Sequence, residues 1–205
     1  MNAEEVRVYT VLYGFHTALH NRLLNSLWTH LPDKIPIEMY LNTVSEATRQ
    51  MVSCKARAFD KVRNTNNNAK KYPLMREMFQ DLKDGLHPEV KWVLWFDDDA
   101  HVNNPEWWKL TTQWIDSKVH ENVCYVGQCW FIHWKAGQEQ FIKESPWYAG
   151  VPVEVVGAKV KRPGIEFAQG SYWWLRKDVL QDLDWPDPRI VHNGGDTMLA
   201  EALRQ

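Results

Sequence analysis

The first half of the chain switches repeatedly between a period of two and a period near 3.6. Residues 6–12 form a nearly unbroken apolar run with β-branched members, which is the pattern of a buried strand closed by Gly14. Leu23, Leu24, Leu27 and Trp28 then recur at helical spacing across residues 19–31, and Pro32-Asp33 stops them. Residues 35–41 read as a second strand. Thr43 and Glu46 have capping-box spacing, which predicts a helix running to about Val62. The Asn-rich residues 63–68 read as a polar loop. Met75, Met78, Phe79 and Leu82 share one helical face, and residues 90–96 form a short apolar strand that ends abruptly in Asp97-Asp98-Asp99.

Asn104-Pro105-Glu106 opens a helix carrying Trp107, Trp108, Leu110, Trp114 and Ile115. Residues 123–132 are a long strand pattern, 135–144 a polar loop, 151–160 another strand and Pro163-Gly164 a turn. Residues 165–175 precede a short helix opened by Arg176-Lys177-Asp178, and Trp185-Pro186-Asp187-Pro188 is a rigid linker. Asn193-Gly194-Gly195-Asp196 leads into a last helix with Met198, Leu199, Ala202 and Leu203 apolar. Strand–helix alternation in the first half predicts a parallel sheet with helices on both faces, and the second half is richer in strands. The 205 residues form one domain on this reading, without repeats or a strong internal boundary.

Composition narrows the classes. No stretch approaches 18 consecutive apolar residues, and the acidic start Met1-Asn2-Ala3-Glu4-Glu5 is not a signal peptide, so a cytoplasmic protein with no membrane span is expected. Cys54, Cys124 and Cys129 form no CxxC pair and read as reduced thiols. A net charge of −2 gives no global reason to expect nucleic acid, although Lys159, Lys161 and Arg162 make a local basic cluster. Of the 12 tryptophans, Trp92 and Trp95 belong to a core strand. Trp130, Trp134, Trp147, Trp173 and Trp174 read either as core packing or as a stacking platform for flat rings.

The acidic triplet carries the chemistry. Strand alternation points Asp97 and Asp99 one way and Asp98 the other. Three adjacent carboxylates repel one another, and a hard divalent cation with oxygen ligands offsets that repulsion. The plain alternative is a solvated acidic turn. The position favours a site, because ligands of open α/β sheets bind beyond the carboxyl ends of the strands.

Together these features resemble the GT-A nucleotide-sugar glycosyltransferases, over roughly residues 6–205. The triplet matches that family's DxD motif. Gly195-Asp196-Thr197-Met198-Leu199, followed by Leu203-Arg204, looks like the acidic pair plus Leu/Arg pattern of inverting members, with Gly195 where the family has an acid. The resemblance implies an α/β, Rossmann-like three-layer sandwich with a mostly parallel central sheet and a smaller mixed region in the second half. Residues 1–104 would bind the nucleotide-sugar and 105–205 the acceptor. It implies metal-dependent transfer from a donor, UDP-linked in most members, to an acceptor hydroxyl, with Mn2+ or Mg2+ as cofactor. Asp99 would ligate the metal, with Asp97 on the ribose or a metal water and Asp98 facing the sugar or supporting the loop. His192 would be a late metal ligand, and His101 is a second candidate. Leu12, Tyr13 and Gly14 would meet the base with Asn42 and Ser45 nearby, and Asn67 with Lys70 or Lys71 would reach the base or diphosphate. Asp196 would be the general base, a role that can coexist with capping the last helix. The acceptor is left open between a saccharide, a protein side chain and a hydroxymethylated DNA base, the near-neutral charge arguing against DNA. Two rivals remain: a GT-A-like nucleotidyltransferase, which would want more carboxylates and a basic phosphate clamp, and a non-catalytic nucleotide-sugar-binding module.

Overall fold

The structure is a computed structural model and describes residues 1–118, 121–135, 137–153, 155, 165–191 and 194–205. A 3-10 turn at Ala3–Glu5 leads into β1 (Val6–Tyr13), α1 (Thr17–His30), β2 (Ile37–Asn42), α2 (Glu46–Lys55) and β3 (Lys61–Thr65). Then come α3 (Lys71–Met78), α4 (Gln80–Lys83), β4 (Trp92–Phe96), α5 (Trp107–Ser117), β5 (Tyr125–Ile132) and α6 (Gln138–Lys143). The chain continues through β6 (Ile165–Arg176), α7 (Lys177–Asp182) and α8 (Gly195–Arg204).

Among the described residues the strands form one six-stranded sheet in the order β3-β2-β1-β4-β6-β5. The four strands from the first half are parallel, while β6 runs antiparallel to both β4 and β5. Successive side chains of a strand fall on opposite faces, and β1 feeds two cores in that way. Val6, Val8 and Leu12 pack with Leu23, Leu24 and Leu27 of α1 and Ile115 of α5. Tyr9 and Val11 pack on the other side with Met75 and Met78 of α3 and Leu199 of α8. A strand covered on both faces must be apolar throughout, which is why residues 6–12 read as a continuous run.

Three sequence expectations are corrected. The second helix ends at Lys55, not near Val62, and its N-cap is Ser45, whose Oγ accepts the Thr48 N–H at 3.1 Å. Residues 61–65, read as helix end and polar loop, are instead strand β3. Glu38 on β2 is the physical reason. Its side chain is fully buried and is held by Arg63 Nε at 2.7 Å, Arg7 at 3.4 Å and Lys61 at 3.6 Å. A buried carboxylate needs such partners, and pairing β3 beside β2 supplies two of them. Residues 138–143 form α6 where a loop was expected, because Ile142 reaches the core. Of the strand expected at 151–160, residues 151–153 are described and form no strand, while 154 and 156–160, the turn at Pro163-Gly164 and the basic cluster of Lys159, Lys161 and Arg162 lie outside the described residues. Val155 is described, and it makes an isolated bridge to Trp134.

Candidate active site

The order of strands reverses beside β1. From β1 the chain moves outward to β2 and β3, and β4 then enters on the other flank. Crevices beyond the carboxyl ends of strands at such a reversal are where open α/β sheets bind ligands. A cavity of about 510 Å³ opens there, lined by Tyr13 and His16 after β1, Asn42 at the end of β2, Lys70 and Lys71 at the start of α3, the three aspartates after β4, and Asp196 on α8.

The strand ends at Phe96, and the triplet lies in a turn closed by the Ala100 N–H on the Asp97 carbonyl at 3.1 Å. Asp97 faces α3. Its Oδ1 takes the Trp95 indole N–H at 2.7 Å and pairs with Lys71 Nζ at 2.6 Å. Asp98 turns the opposite way, and its Oδ2 accepts the Tyr13 backbone N–H at 3.1 Å. Asp99 is exposed at the rim, with its carbonyl held by Arg22 at 2.9 Å.

Asp196 comes from the far end of the sequence. Gly194, with φ of 81°, is the N-cap of α8, so Asp196 lies in the first turn and does not cap it. An acid there is favoured by the helix dipole. The Tyr72 hydroxyl donates to Asp196 Oδ1 at 3.3 Å. The other oxygen, Oδ2, converges with Asp97 Oδ2 above Gly170 of β6: a Cβ on Gly170 would lie 2.7 Å from each. Only a residue without a side chain lets the two carboxylates meet. Gly195 has a similar cause, since a Cβ there would stand 1.9 Å from Tyr72 Cζ. The Tyr72 ring occupies the space that an acid before Asp196 would need.

Burial raises Asp97 to about 6 against the pull of Lys71 and the Trp95 N–H. Burial also raises Asp196, opposed by Lys71 and Tyr72. For Lys71, burial works against the charge, yet Asp97 and Asp196 hold it above its ordinary value. One ammonium thus serves two carboxylates that are far apart in the sequence.

Of the residues singled out from sequence, Tyr13, Asn42, Lys70, Asp97, Asp98, Asp99 and Asp196 line this cavity. Asn42 is 1% exposed; its Nδ2 donates to the Ala69 carbonyl at 2.6 Å and its buried Oδ1 has no partner. Leu12 is buried in the core with α1. Gly14 forms the turn, with φ of 68° and its N–H on the Asn42 carbonyl at 3.2 Å. Ser45 is committed to capping α2, and Asn67 is exposed with its N–H on Thr65 Oγ1 at 3.2 Å. His192 lies outside the described residues, and His101 is exposed. Among the described residues, no three His, Cys, Asp or Glu side chains converge as a ready-made metal cage. The tryptophan platform is corrected: Trp134, Trp147, Trp173 and Trp174 are core residues, and of the five only Trp130 is half exposed, at 49%. Trp173 stacks on Trp95 at 6.0 Å. Sequence reading missed Tyr72, His16 and Ala69, since nothing in a helical pattern separates a tyrosine that orients an acid from one that fills a core.

The fold is GT-A, an α/β sandwich around a mostly parallel sheet with an antiparallel second half. The chain is similar to Staphylococcus aureus TarS 1-349, with TM-score 0.56 and 18% identity over 97% of this chain and 54% of that one. It is also similar to the mannosyltransferase PcManGT from Pyrobaculum calidifontis, solved with GDP-Man and Mn2+, with TM-score 0.56 and 12% identity over 95% of this chain and 50% of that one. The chain therefore spans about half the length of these two structures, and 33% of the longer TarS chain. No protein-family model and no curated protein sequence matches it. Among the described residues, no helix is long and apolar enough to cross a membrane.

Proposed function

We propose that the chain transfers a sugar from a nucleotide-sugar donor to an acceptor hydroxyl. One observation carries the reading: Asp97 and Asp196, about a hundred residues apart in the sequence, meet above Gly170 at the end of β4. A nucleotide would enter beside Tyr13 and Asn42. The free, buried Oδ1 of Asn42 accepts a hydrogen bond and so favours a base that offers an N–H. Lys70 and Lys71 give the diphosphate positive charge, and a sugar would lie toward Asp97 and Asp196.

A hard cation fits the donor set. Such an ion keeps waters and takes one or two protein carboxylates plus phosphate oxygens, so it needs no larger cage. Asp99, exposed at the rim, and Asp97 would hold Mn2+ or Mg2+. The ion would supply Lewis-acid stabilisation of the departing diphosphate. The chain's own residues do the rest. Asp196 Oδ1 is fixed by Tyr72, leaving Oδ2 to take the proton of the acceptor hydroxyl as that oxygen attacks the anomeric carbon. A single direct displacement of this kind inverts the anomeric centre. UDP and GDP are both compatible with Asn42, and the acceptor is a saccharide or a hydroxymethylated base. The mannosyltransferase solved with GDP-Man and Mn2+ supports the donor class and the metal.

The test is a thermal-shift screen of UDP- and GDP-sugars with Mn2+, followed by mass spectrometry of products from mixed acceptors that include hydroxymethylated DNA. Asp196→Asn should keep donor binding and lose transfer by about 100-fold or more. Asp99→Ala should lose the metal-dependent part of donor binding. Near-normal transfer by Asp196→Asn would place the base elsewhere. Donor binding without turnover on any acceptor would favour a binding module.

A further inference from the structure

Behind the acidic turn lies a histidine that the proposed chemistry leaves without a role. His20 on α1 has no exposed surface. Its Nε2 stands 3.2 Å from the Tyr13 carbonyl oxygen and 3.6 Å from Asp98 Oδ2. Both neighbours are acceptors, so Nε2 carries the proton and donates. Its Nδ1 stands 3.1 Å from Thr48 Oγ1. That hydroxyl belongs to a closed set: Thr17 and Ser45 are 2.6 Å apart, Ser45 and Thr48 3.1 Å, and Thr48 and Thr17 3.3 Å. Within such a ring Thr48 can donate to Nδ1, so both ring nitrogens have a partner. Asp98 Oδ2 also receives the Tyr13 N–H at 3.1 Å. The β1–α1 loop and the acidic turn, which are two walls of the cavity, are therefore tied at one carboxylate oxygen, with His20 bracing the knot from behind.

We infer that His20 is a positioning residue of the donor site: by bonding the Tyr13 carbonyl it fixes the backbone whose N–H holds the Asp98 carboxylate, out of the path of a nucleoside diphosphate. Asp98 lines the cavity, and released from this bracing its charge would be free to turn into the space that the diphosphate must enter. Two like charges at close range in a half-buried site repel strongly. The inference rests on the donor-binding reading only in taking a nucleoside diphosphate as the occupant.

The test compares His20→Gln with His20→Asn. A glutamine amide N–H reaches the position of Nε2, whereas asparagine stops near Nδ1. Titration calorimetry with UDP and GDP, each with Mn2+, should find the glutamine variant within about twofold of the native affinity and the asparagine variant weaker by about fivefold or more, as expected for loss of the hydrogen bond that fixes the Tyr13 backbone. Equal losses in the two variants, in step with their thermal midpoints, would overturn the positioning role. A second measurement needs no variant: nitrogen NMR of the native protein with labelled histidine should find a proton on His20 Nε2. A bare Nε2, with the proton on Nδ1 alone, would overturn the geometry whatever the nucleotide data. If the native protein binds neither UDP nor GDP, the donor-site reading is what falls, and with it the role assigned here, while the NMR result still decides the ring's hydrogen bonds.

Discussion

Asp97 offers a test that depends on no substrate. Its carboxyl is held at about 6, against an ordinary 3.8, because burial outweighs Lys71 and the Trp95 N–H. A folded value above the unfolded one means that the charged form is disfavoured by folding. At about 1.36 kcal/mol per pH unit, the difference comes to about 3 kcal/mol. The direction follows from linkage. The stability associated with a neutral Asp97 is fully present below pH 3.8, declines as pH rises to about 6, and is gone above that. Asp97→Asn removes the charge and keeps an acceptor for the Trp95 N–H. In chelator-treated buffer at pH 8 the variant should be more stable than the native protein by about 3 kcal/mol, and most of that gap should close by pH 4. Urea denaturation at the two pH values measures both gaps. A variant that is less stable at pH 8, or a gap independent of pH, would refute the claim that burial governs this carboxyl.

Other outcomes follow from the same geometry. Gly195→Ala should cost about 1–3 kcal/mol in urea denaturation, since its Cβ would stand 1.9 Å from a ring atom of the buried Tyr72. Tyr72→Phe removes a hydrogen bond that favours ionised Asp196, so the acidic limb of the pH–rate profile for transfer should move to higher pH; an unmoved limb would detach Tyr72 from the base. Glu38→Ala should cost about 3–5 kcal/mol, because it strands the guanidinium of Arg7 in the core and leaves Arg63 short of its buried partner.

Local patterns made much of this molecule legible. β1, α1, β2 and β4 were readable because each buries a continuous or evenly spaced apolar face, and the acidic triplet stood out because it interrupts one. β3 was hidden: Lys61, Arg63 and Asn64 look like loop residues, and they become a strand only because Glu38, distant in sequence, needs cations beside it. α6 was hidden by its charged surface, with one buried isoleucine to reveal it. Asp97, Asp99 and Asp196, which line the cavity, stood out from their neighbours along the chain. The role of Tyr72 did not, because it comes from contact with Gly195 and Asp196 across the fold. The tryptophans misled for the opposite reason: an indole at the end of a strand pattern looks the same whether it meets solvent or, like Trp173, another indole.

Gly170 has a bearing on how this protein can be taken apart. The strand that carries it is hydrogen-bonded along β4, from Trp92 opposite Arg176 to Phe96 opposite Tyr172. A fragment ending after residue 104 would leave that β4 edge bare and Trp95 without its stacking partner, a sticky ribbon prone to clump with its own copies. Engineers wishing to replace the second half of the chain would therefore have to carry β6 along with the first, and splice on either side of that strand.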